Sequence, residues 1–90
     1  MKAWRSKKYL TWVKSLPCVN CYAPADDAHH LVGLGGMGGM GTKAPDSMVM
    51  PLCRGCHGLV HNEPDMWHDQ WEWIARTLKR AIDEGVLKIE

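Results

Sequence analysis

PCVNC at residues 17–21 and PLCRGCHGLVH at residues 51–61 decide how this chain folds. They place Cys18-x-x-Cys21, then 31 intervening residues, then Cys53-x-x-Cys56. Two such knuckles aim four thiolates at one centre, and four sulfurs at about 2.3 Å from an ion make a closed tetrahedral zinc site. A closed site is structural, because it leaves no position for water or substrate. The competing readings are weaker. A disulfide framework belongs to an oxidising compartment. A redox CxxC opens a helix beside a βαβ unit, for which this chain is too short. The expectation is therefore a structural Zn2+ held by Cys18, Cys21, Cys53 and Cys56.

With every cysteine used, four of the five histidines remain close to them in sequence. His57 follows Cys56, and His61 lies one helical turn later. An i, i+4 pair projects from one face of a helix and offers two imidazoles to one ion. His29 and His30 are adjacent in AHHLV, residues 28–32. Neighbouring strand residues point to opposite faces, so one can bind an ion while the other meets a substrate. The bland alternative is a single zinc with leftover surface histidines. A complete cysteine set argues instead for a second site built from imidazoles. His68 reads as a surface residue.

Outward from these motifs, Tyr9, Trp12, Val13 and Leu16 follow helical spacing, predicting a helix over about 4–16 that Pro17 ends. Residues 28–32 and 47–52 (SMVMPL) read as two short strands, and residues 53–61 as a knuckle running into a helix. Asn62 is a possible cap and Pro64 a first-turn residue for a last helix over about 63–84, with Gly85 in the C′ position. Trp67, Trp71, Ile74, Leu78 and Ile82 form one stripe on it, read as core rather than as a base-stacking platform. Trp67, His68 and Trp73 are alternatively a dimer face. Residues 33–41, GLGGMGGMG, hold six of the nine glycines and read as a flexible loop. That loop is not a phosphate-binding P-loop: it ends Thr42-Lys43 where Lys-Ser/Thr is required, and no βαβ unit accompanies it. Either it lets a backbone approach closely, with Lys43 reaching a phosphate, or it is a connection without a role.

Ninety residues with 46% hydrophobic residues and five tryptophans fit one small folded domain, near the size where a staple is needed. No apolar run nears the roughly 20 residues of a membrane span, and the N-terminus lacks a secretory stretch. The expectation is a cytoplasmic protein with no membrane. Net charge is +1, but residues 1–14 carry five bases and no acid, while residues 63–90 carry seven acids against four bases. Lys7 and Lys8 thus belong to a basic arm compatible with phosphate, or to an ordinary solvated helix face.

Taken together, PCVNC, DDAHHLV, the glycine loop, APDSMVM and PLCRGCHGLVH resemble the zinc-stapled HNH nucleases, also called His-Me or ββα-metal nucleases. More narrowly, SKKYLTWVKSLPC, AHHL, GMGTKAPD and PLCRGCH resemble small phage and prophage proteins akin to the recombination-enhancement nucleases of phages. The likeness covers residues 6–61. It implies an α+β fold: a small ββα-metal finger, core about 18–61, with a four-cysteine structural zinc and flanking N- and C-terminal helices, as one HNH domain over 1–90. It implies an endonuclease that hydrolyses DNA phosphodiester bonds and leaves 5′-phosphate and 3′-hydroxyl ends, in a bacterial host cell. By position, His30 would be the general base, and His29, His57 and His61 would hold a catalytic divalent ion. A phage or host recombination or replication protein would be a partner.

One departure concerns the motif's central Asn, which this chain lacks. Asp46 is the nearest polar residue, with Ser47 as its rival. A carboxylate there would accept the second ring N–H of His30 and fix its tautomer. Imidazole ligands suit zinc, nickel or cobalt, while added carboxylate shifts preference toward magnesium or manganese. Arg54 would contact phosphate or offset the negative charge of a four-thiolate zinc, and the helix beginning there would favour an anion with its amides. The rival to the nuclease reading is a non-catalytic zinc module that binds nucleic acid or a protein.

Overall fold

The computed structural model describes residues 4–33 and 44–88. Its elements run in the order helix α1 (Lys7–Lys14), strand β1 (Asp27–His30), strand β2 (Val49–Leu52), helix α2 (Arg54–Asn62), a single 3₁₀ turn (Pro64–Met66) and helix α3 (Asp69–Asp83). Among the described residues this is a small α+β arrangement with a two-stranded sheet and three α-helices. Among the described residues, no helix is long and apolar enough to cross a membrane.

The two strands pair antiparallel, with Asp27 opposite Leu52, His29 opposite Met50 and His30 opposite Val49. Every residue of β2 is buried, because both faces of the ribbon are covered. On one face Met50 and Leu52 pack with Leu31, Val60, Trp73 and Ile74. On the other, Val49 packs with Tyr9, Val13 and Ala81. A hairpin alone is marginal in water, so α1, α2 and α3 supply the apolar partners that this ribbon needs.

Helix α1 is shorter than the periodicity predicts. Ser6 caps it, its hydroxyl accepting the Tyr9 amide at 3.1 Å. The segment before it is instead extended, with the Trp4 carbonyl accepting the Asp46 amide at 2.9 Å. Tyr9 and Val13 are its buried residues. Strand β1 ends at His30 because the polar groups of Val32 are taken elsewhere. The side chain of Gln70 accepts the Val32 amide at 3.1 Å and donates to the Val32 carbonyl at 2.9 Å, as a neighbouring strand would. Gln70 is fully buried, and these bonds are what allow a polar amide there.

The expected helix over 63–84 is broken. Asn62 ends α2 rather than capping the next helix, and Pro64 starts the 3₁₀ turn. The chain turns at Trp67, whose indole N–H donates to the Val60 carbonyl at 3.0 Å. Its ring also lies over Gly33, where φ is +73° and a Cβ would sit 2.3 Å from two ring carbons. The break rotates the buried face of α3 to Gln70, Trp73, Ile74, Thr77 and Ala81. Ile74 is in the core as expected and Leu78 packs on its edge, but Trp71 and Ile82 are 40% and 54% exposed. Two polar residues share the inner face, which an apolar stripe cannot foresee. Trp73 is core, so it is not part of a dimer face. Gly85, at φ +75°, follows the last turn of α3 in the expected place.

The candidate metal and base site

The first knuckle leaves α1 and the second opens α2, and together they cluster Cys18, Cys21, Cys53 and Cys56, whose sulfurs all lie within 4.8 Å of one another. None is in a disulfide. The cluster can hold a metal ion. Cys53 is the N-cap of α2, and its sulfur accepts the Cys56 amide at 3.5 Å. Asn20 donates to the Cys56 sulfur at 3.4 Å. Burial would raise the Cys18 thiol, but backbone amides of Cys53, Cys21 and Asn20 outweigh it and bring it to about 7. Burial pushes the Cys56 thiol up to about 12. A cation among them resolves that conflict, since a coordinating thiol is deprotonated outright.

A second group forms where β1 meets α2. His29, His57 and His61 bring one ring nitrogen each within 4.8 Å of one another. The ring of His29 stands 4.4 Å from that of His57 and 5.0 Å from that of His61, centroid to centroid. His29 is buried, His57 half-buried and His61 exposed, so the group opens to solvent along α2. Both ring nitrogens of His29 are buried without a hydrogen-bond partner. Buried polar atoms are rarely left so, and an ion between three imidazoles would satisfy one of them. Burial, followed by the neighbouring His57 and His61, pushes the His29 imidazolium down to about 3. The ring is therefore neutral, which is the form that binds metal. Asp27, at the start of the same strand, places its Oδ2 2.9 Å from His57 Nδ1.

His30 projects from the opposite face of β1. Its Nε2 lies 2.8 Å from Asp46 Oδ1, so Asp46 rather than Ser47 is its partner. Asp46 is 4% exposed and gathers three bonds: from His30, from Arg5 at 3.1 Å and from the Ser6 amide at 2.8 Å. Burial would raise its carboxyl, but the bonds from His30, Ser6 and Arg5 outweigh it and hold the group below its ordinary value. An ionised Asp46 requires His30 to present N–H at Nε2, which leaves the Nδ1 lone pair as the ring's acceptor.

The remaining sequence candidates are more peripheral. Lys7 and Lys8 are exposed on the first turn of α1, directly after the Ser6 amide that holds Asp46. Arg54 is exposed at the start of α2. The amides expected there for a phosphate are partly spent, that of Arg54 on Asp26 Oδ2 at 2.8 Å and that of Cys56 on the Cys53 sulfur. Lys43 and most of the glycine loop lie outside the described residues. Asp27 escaped the sequence reading, although its place two residues before His29 puts both on one strand face. Asp26, Arg5 and Gln70 carried no comparable signal.

Residues 1–86 match the family described as Protein of unknown function (DUF968). The chain is similar to the uncharacterized protein YdfU of Escherichia coli (strain K12), at 48% identity over 90 residues. That alignment covers 96% of this chain and 26% of the relative, so the chain spans about a quarter of the protein it matches. No solved structure matches it.

Proposed function

The chain belongs to the DUF968 family, whose description names no activity, and from its own geometry we propose that it is a metal-dependent HNH-type endonuclease acting on DNA. One observation carries the reading. Three imidazoles converge on one side of β1, while His30, on the other side, is held by a buried carboxylate. The order hairpin then helix, with a cysteine cluster at the helix start, agrees with a ββα-metal finger.

In this reading zinc at the four cysteines ties both knuckles to the start of α2, and so fixes where His57 and His61 stand. A divalent ion held by His29, His57 and His61 supplies charge stabilisation to the scissile phosphate and the leaving oxygen. His30 is the general base: Nδ1 accepts a proton from the attacking water while Nε2–H stays on Asp46. Asp46 holds the ring in that tautomer and stabilises the imidazolium that forms. It stands where the HNH motif has Asn, and as a carboxylate it accepts from His30, Arg5 and Ser6 together. Lys7, Lys8, Lys43 and Arg54 are the phosphate contacts of a sequence-tolerant interface, since phosphate contacts position the duplex without reading it. A recombination or replication protein of a phage or its host is the accompanying partner.

Metal analysis followed by plasmid nicking tests this. The expected result is one tightly held zinc, removal of which unfolds the chain, because metal-binding energy in such small sites is folding energy. Nicking should require an added divalent ion and disappear in His30→Ala while zinc content persists. A folded, zinc-loaded chain that fails to nick DNA whatever divalent ion or partner is added would favour a non-catalytic zinc module for nucleic acid or protein.

A further inference from the structure

Two consecutive carboxylates, Asp26 just before strand β1 and Asp27 at its first position, both dock on α2. Asp26 accepts the first amide of the helix, at 2.8 Å, and is thereby spent. Asp27 meets a side chain instead, its Oδ2 2.9 Å from Nδ1 of His57. Asp27 and His29 alternate onto the same face of the strand. One short strand therefore brings both an imidazole and a carboxylate to the helix that carries His57 and His61.

We infer that Asp27 is a positioning residue that sets the ring orientation and tautomer of His57, so that Nε2 is the nitrogen presented to the ion. The inference rests on the reading of His29, His57 and His61 as an ion site, and extends it to a residue outside the ligand set. A histidine ring offers two nitrogens and, in water, free rotation about its side-chain bonds. With Nδ1–H committed to a carboxylate, only Nε2 keeps a lone pair, and the ring plane is fixed by the bond. His57 needs this more than His29, which is clamped by burial, because His57 is half-buried and its ring has no other hydrogen bond among the described residues. Asp26 cannot take over, since its carboxylate already faces the backbone of α2. The same strand thus feeds two carboxylate–histidine couples of opposite purpose. Asp27–His57 serves the ion, and His30–Asp46 serves the proton.

The test uses the full chain loaded with zinc at its cysteines and titrated with Co2+ alone. Cobalt reports the imidazole site through its visible bands, and thiolate-to-cobalt absorption reveals any exchange at the cysteines. Asp27→Ala should weaken Co2+ binding by about 10–100-fold, the usual cost of losing such an outer partner. Asp27→Asn, which keeps an acceptor oxygen for Nδ1–H, should recover most of that loss. Nitrogen-15 spectra of the metal-free site should show His57 protonated at Nδ1 in the wild type and in Asp27→Asn, and shifted toward the Nε2–H form in Asp27→Ala. A merely structural clamp would move the unfolding midpoint but neither the tautomer nor the affinity of the folded chain. The inference is overturned if Asp27→Ala binds Co2+ as the wild type does while His57→Ala does not. It is overturned equally if His57 carries its proton at Nε2 beside an intact Asp27. If the wild type itself takes up no Co2+ beyond the cysteines, the ion-site reading fails first and takes the inference with it.

Discussion

Replacing Asp46 with asparagine removes one charge and almost no volume, yet the bonds around that side chain leave the amide no good orientation. The Asp46 carboxylate accepts the Ser6 amide on Oδ2 and both Arg5 and His30 on Oδ1. An asparagine brings a single acceptor oxygen. If that oxygen faces His30 and Arg5, its NH2 faces the Ser6 amide and leaves it unbonded, at a cost of about 1–3 kcal/mol. If it faces Ser6, the NH2 meets His30, which can respond only by moving its proton to Nδ1. Loss of the Arg5 ion pair adds at most about 1 kcal/mol, because the Arg5 side chain is 47% exposed. The expected destabilisation is therefore about 1–4 kcal/mol, a large share of the roughly 5–15 kcal/mol that holds a domain folded.

Cleavage should suffer more than stability. Either orientation weakens the hold on His30, and the second one removes the Nδ1 lone pair, so the nicking rate of Asp46→Asn should fall by about 10²–10⁴-fold. Tryptophan fluorescence in urea measures the first quantity, and plasmid nicking by the zinc-loaded, folded variant measures the second. The depressed Asp46 carboxyl also fixes a sign. Its stabilisation is complete above the ordinary value of 3.8 and is lost as pH falls through the lower folded value, so wild type and variant should converge in acid. Nicking by a folded Asp46→Asn at the wild-type rate would refute the role given to this carboxylate, and with it the assignment of His30 as base.

Two further outcomes follow from burial and backbone shape. Gly33→Ala places a methyl 2.3 Å from two carbons of the Trp67 ring at a φ of +73°. It should cost about 2–4 kcal/mol in urea unfolding, and an unchanged midpoint would mean that Trp67 does not lie over Gly33. For His29, whose pKa is pushed from 6.5 to about 3, the unfolded chain takes a proton that the folded chain refuses. With the histidine site kept free of ions, stability should therefore fall progressively as pH drops from 6.5 toward 3. His29→Gln should show a shallower fall over that range, and equal slopes would show that His29 is not held neutral by the fold.

What the amino-acid sequence determined by itself was local. A Cys-x-x-Cys knuckle, an i, i+4 histidine pair and a glycine past the last helical turn are set by covalent connectivity and helical pitch, so each knuckle, the pairing of His57 with His61 and the role of Gly85 were legible without coordinates. That the two knuckles share one centre followed from the tetrahedral chemistry of zinc, not from chain geometry. The adjacent His29 and His30 were likewise bound to face opposite ways, because strand residues alternate.

Other features were decided only by the tertiary structure, because they join groups far apart in the chain. Asp46 reaches His30 across 16 residues, Asp27 reaches His57 across 30 and Gln70 reaches Val32 across 38. Such meetings depend on how α1, α2 and α3 close over the hairpin. The last helix makes the same point: its apolar spacing named only part of the buried face, placing Ile74 in the core but missing Gln70, which satisfies a strand end, and Trp73. Hydrophobic periodicity registers how greasy a position is, whereas burial follows from which polar groups find partners once the layers meet.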